Sequence, residues 1–102
     1  MPRAGKDTTM ANKLEEARNI INEVDAEMAH LFEKRMEAVR MIAAYKKEKQ
    51  LPVLDPKREE ENIARNSALI GDEALRPYYA AFLRDMMKVS RSYQQRLMED
   101  AK

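Results

Sequence analysis

The sequence predicts an all-α fold: a long first helix, a short second and a long third, paired as an antiparallel homodimer. Three observations predict it. Apolar residues recur at steps of three and four through most of the chain, and no alternating strand pattern interrupts them. There are only two glycines, Gly5 and Gly71. The 102 residues are 36% charged, with both signs mixed, and include eight methionines. A chain this short buries too little core alone, and association is a usual remedy.

Residues 1–10, MPRAGKDTTM, lack apolar periodicity and carry Pro2 and Gly5. They read as a disordered tail ahead of one domain over 11–102. The first helix is expected over 11–49, with Leu14, Ala17, Ile21, Val24, Met28, Leu31, Ala38, Ile42 and Tyr45 on one stripe. One member of that series, Arg35, is not apolar. Such a helix is roughly 55 Å long, far longer than a compact globule of this size needs. Its simplest partner is a second copy of itself.

Pro52 in KKEKQLPV ends the first helix. Asp55 then serves as N-cap of the second helix, with Pro56 at its first position. Ile63, Ala64, Ser67 and Ile70 are its inward residues, Gly71 ends it, and Asp72 caps the third helix. The third helix carries Leu75, Tyr79, Phe82, Met86, Val89, Tyr93 and Leu97 at helical spacing, with Pro77 in its tolerant first turns.

Several function classes drop out. Without cysteine there is no disulfide, thiol nucleophile or thiolate metal site, which fits a reducing cytoplasmic setting. His30 is the only histidine, and no Gly-x-Ser-x-Gly turn, HExxH, P-loop or GxGxxG occurs. A net charge of +1 argues against nucleic acid. The apolar runs are too short to span a membrane, and no signal-peptide pattern opens the chain. No metal and no cofactor are expected.

Polar residues in apolar places are what remain. Arg35 lies on the long stripe, where it can simply set register with its head snorkelling outward. Lys46 shares its face roughly 16 Å further along, though it also belongs to the solvated run KKEK. Between them the two cations can hold a small anion. Arg18 is about 42 Å from Lys46 along the same helix, so only an antiparallel second copy brings it near. Ser90 and Gln94 stand one turn apart on the third helix. Asp55, Arg58 and Glu59 crowd the start of the second, where each can also be ordinary helix-start solvation. Together these residues describe a pocket with three arginines, a lysine, a Gln and a Glu, and no nucleophile. It suits a small dianion carrying a hydroxyl.

In that order and spacing, "ARNIINEVD", "EKRMEAV", "AAYKKEK", "PVLDPKREE" and "VSRSYQQ" resemble the all-helical (AroQ-type) chorismate mutases. The likeness is strongest to the mutase domain fused to prephenate dehydratase in bacteria, and it covers about residues 13–96. It implies an intertwined homodimer whose sites draw on both chains, acting in tyrosine and phenylalanine biosynthesis without a cofactor. By the same resemblance, Lys46 and Gln94 contact the ether oxygen of chorismate and Glu59 takes its hydroxyl. Arg35, Arg58 and the partner's Arg18 hold carboxylates, while Asp55 and Ser90 complete the binding set. Arg84 and Arg91 depart from the pattern, placing charge where the family has a partly apolar wall. Two alternatives stay open: an isochorismate–pyruvate lyase of the same fold, and a non-catalytic helical dimerisation or regulatory module.

Overall fold

A computed structural model describes residues 9–100. The order is α1 (Thr9–Lys49), α2 (Pro56–Ser67), a 3-10 turn (Glu73–Leu75) and α3 (Arg76–Asp100). No strand occurs among the described residues. Most of the expected tail, residues 1–8, lies outside them, whereas Thr9 and Met10 already belong to α1.

α1 runs for 41 residues without a glycine or proline, and Lys46, Lys47 and Lys49 in its last turn complement the negative end of the helix dipole. It stops where Gln50 turns left-handed, at φ 57°. The Leu51 N–H then donates to Lys46 O at 2.7 Å and the Gln50 N–H to Lys47 O at 3.2 Å. This is a Schellman-type ending with glutamine in the place glycine usually takes. α2 opens as expected: Pro56 is in the first turn and the Asp55 side chain accepts from the Arg58 N–H at 3.2 Å.

α2 ends at Ser67, short of the expected Gly71. Local side-chain bonding competes with the helix there. Asn66 Nδ2 donates to Asn62 O at 2.9 Å and to Asn62 Oδ1 at 2.7 Å. The Ile70 N–H donates back to Ser67 O at 3.1 Å, and Arg76 Nε donates to Ile70 O at 2.7 Å. Asp72 does cap, but it caps the 3-10 turn, accepting from the Ala74 N–H at 3.0 Å.

The chain divides at Arg35 into two units. In the first, every side chain from Met10 to Lys34 is exposed. Leu14, Ile21, Val24, Met28 and Leu31 are among them, each close to half accessible. In the second, α2 packs on α3 through Ile63, Leu83 and Met87, flanked by Tyr79, Ala80 and Met86. Val39, Ala43 and Val53 are also buried.

The buried faces of α1 and α3 differ from the expected stripes by one residue. On α3 the buried row is Leu83, Met87, Ser90 and Gln94, while Phe82 and Val89 stay exposed. On α1, Val39 and Ala43 are buried, while Ala38, Ile42 and Tyr45 are exposed. One residue is about 100° around a helix. Each of these helices therefore carries two adjacent apolar faces, and the chain packs only one of them against itself. On α2, Ala64 is exposed and Ile63 alone reaches the core.

Candidate functional site

The buried row of α3 starts with Leu83 and Met87 and then turns polar at Ser90 and Gln94, which are only 6% and 7% exposed. Burying an amide without partners costs about 1–3 kcal/mol, so such groups are nearly always satisfied. Gln94 Oε1 is buried and has no hydrogen-bond partner. The oxygen of this amide is thus open to a donor, as is Ser67 Oγ on α2, which is likewise buried without a partner.

Arg91 stands beside Ser90 and one turn before Gln94, on the same side of α3. Its Nη1 donates to Glu59 Oε1 at 2.5 Å, with the two side chains 30% and 23% exposed. Glu59, in the first turn of α2, is thereby drawn to the polar end of the α3 row. Arg84, the other unexpected cation, faces outward to Glu60 at 3.7 Å, where both side chains are well solvated. Such an exposed pair contributes little.

Lys46 is half-buried, and its Nζ donates to Val53 O at 2.8 Å. The bond ties the end of α1 to the loop that leads into Asp55. Arg58 is exposed beside that cap. Arg18 and Arg35 belong to the first unit, where Arg18 is exposed and Arg35 half-buried. α1 and α3 are braced where Arg40 Nε donates to Tyr93 Oη at 2.6 Å. That hydrogen bond, and to a smaller extent the nearby Glu37 carboxylate, pushes the Arg40 guanidinium above its usual pKa. A groove of about 590 Å³ nearby is lined by Arg40, Ala43, Ala44, Lys47, Leu97 and Met98, among others. It holds none of the candidate residues.

Two features escaped the sequence reading. The Arg91–Glu59 pair joins positions 32 apart on different helices, and no local periodicity reports such a contact. The anchoring of Lys46 by a backbone carbonyl leaves no trace in residue types. Among the described residues, no group of three or more acidic or histidine side chains is placed to hold a metal ion. Among the same residues, no helix is long and apolar enough to cross a membrane.

Residues 17–95 match the family described as chorismate mutase type II. The matched span contains every candidate residue from Arg18 to Gln94. No curated protein and no solved structure gives a significant match.

Proposed function

The chain belongs to the chorismate mutase type II family, and from that premise we propose that it rearranges chorismate to prephenate in a site shared by two copies of the chain. The reaction is one pericyclic step: the ether C–O bond breaks as a C–C bond forms. No proton moves and no group leaves. The catalyst has to hold the enolpyruvyl arm over the ring and stabilise negative charge growing on the ether oxygen.

The observation that carries the reading is Gln94, buried inside the matched span with its Oε1 unpartnered; a half-turn of the amide exchanges its oxygen and nitrogen and puts an N–H donor where that oxygen stands. In this reading its amide N–H donates to the ether oxygen at any pH. Lys46 has three N–H donors and gives one to Val53 O. The others go to the ether oxygen and a carboxylate. That ammonium is held before substrate arrives, so little reorganisation remains for the transition state. Glu59 accepts from the ring hydroxyl. Arg35, Arg58 and the partner's Arg18 clamp the two carboxylates, as guanidinium geometry favours. Asp55 fixes the start of α2, and Ser90 binds substrate beside Gln94.

The exposed apolar row of α1 supports the second copy. Covering the open half of Leu14, Ile21, Val24, Met28 and Leu31 stabilises by roughly 1 kcal/mol for each. The core within the chain is small by comparison. An antiparallel pairing of α1 with its copy covers that row and brings Arg18 toward the far end of the partner's helix.

The test is the loss of chorismate absorbance in the ultraviolet with purified protein, with no metal or cofactor added. Saturable loss with prephenate as product is expected. No loss at micromolar enzyme overturns the reading, and release of pyruvate from isochorismate would reassign the site to the lyase.

A further inference from the structure

The proposed function leaves one close contact unused, the bond from Arg91 to Glu59. It is a charge-assisted hydrogen bond between two half-buried side chains, and such bonds are stronger than those between neutral groups. The neighbouring Arg84–Glu60 pair, at 3.7 Å and solvated, shows what a merely superficial link between α2 and α3 looks like. Arg91 also sits where an uncharged wall was expected, next to Ser90 and one turn from Gln94.

A free glutamate side chain samples several rotamers, and ordering it costs conformational entropy. A carboxylate that must meet one hydroxyl at one angle gains if that ordering precedes binding. We propose that Arg91 is a positioning residue for substrate recognition: its guanidinium grips one oxygen of Glu59 and aims the carboxylate, whose remaining acceptor sites take the ring hydroxyl. A carboxylate offers about four acceptor sites, so one arginine bond does not exhaust it. The inference rests on the mutase reading, and on the hydroxyl-binding role of Glu59 in particular.

A simple staple between α2 and α3 would have the same geometry, so the test must read coupling in binding rather than stability. Chorismate turnover is measured for the parent, Arg91→Leu, Glu59→Gln and the double variant, with thermal melts of each. Loss of a hydroxyl contact made equally in ground and transition states raises KM and spares kcat. Arg91→Leu is expected to raise KM about tenfold with kcat changed less than about threefold. In the Glu59→Gln background the same substitution is expected to change KM by less than about twofold, because residues acting as one unit are not additive. Arg91→Lys, which keeps a cation near the carboxylate, restores part of the loss. If Arg91→Leu fails to fold, Arg91→Gln replaces it in the same cycle.

A tenfold rise in KM that persists undiminished in the Glu59→Gln background overturns the inference. So does an unchanged KM accompanied by a lowered melting temperature, which is the signature of a staple. In both cases the parent still turns over chorismate and the mutase reading stands. A parent without turnover removes that reading, and the role of Arg91 with it.

Discussion

Replacing Gln94 by glutamate changes one atom of a side chain that is 7% exposed, and it changes what the group can donate. An amide donates at every pH, whereas a carboxyl donates only when protonated. Loss of one preorganised donor to a developing oxyanion costs about 10²–10³ in kcat. Gln94→Glu at pH 7.5 is therefore expected to lose roughly that factor. Burial pushes the new carboxyl's pKa up, and cations near it pull it down. Whichever prevails, its neutral fraction rises about tenfold per unit of falling pH while the ionised form dominates. The kcat of the variant relative to the parent should then climb with a slope near one decade per pH unit, levelling once the neutral form prevails. Gln94→Leu supplies the control: it loses the donor at all pH values and should show no such recovery. Initial rates of chorismate loss between pH 4.5 and 8, about three and a half decades of proton activity, decide the matter. A variant equal to the parent at pH 7.5, or a flat ratio across the range, refutes the role given to Gln94.

Lys46→Ala should lower kcat by about 10²–10³, and a parent-like rate would exclude that ammonium from the ether oxygen. Leu83→Ala, at a side chain 2% exposed in the α2–α3 core, should cost about 2–5 kcal/mol. A shift of the urea midpoint equivalent to less than 1 kcal/mol would argue against that packing. Val24→Asp combined with Leu31→Asp places charges on the open row of α1, and sedimentation should then report monomers with chorismate turnover lost. Dimers of unchanged mass would move the association surface elsewhere.

The helices were legible because a helical period survives in the order of apolar residues, and the start of α2 because Asp55 and Pro56 are strong local signals. The end of α2 was not, because Gly71 is a local stop signal while the Asn66–Asn62 bonds act earlier. Which face of α3 turns inward was not legible either. Phe82, Met86 and Val89 are as apolar as Leu83 and Met87, so only packing chooses between the two rows. Ser90 and Gln94 could be singled out as polar residues one turn apart, and they do lie in the buried row. The partner of Glu59 could not be found, since residue type alone does not say that Arg91 turns inward and Arg84 outward.

The connection from α1 to α2 is surface loop, the sort of segment in which proteins usually tolerate inserted chain. Here Lys46 closes it twice, its backbone oxygen taking the Leu51 N–H and its amine holding Val53 O. A tag, a linker or a new terminus between Gln50 and Asp55 would therefore pull the ammonium away from its anchor. The turn after α2 is also held by bonds at Ile70 and Asp72, but none of them involves a residue given a role at the site, and a side-chain carbon added at Gly71 would meet nothing within 4 Å. Of the two connections, a reporter spliced into this chain is better placed at Gly71 than between Gln50 and Asp55.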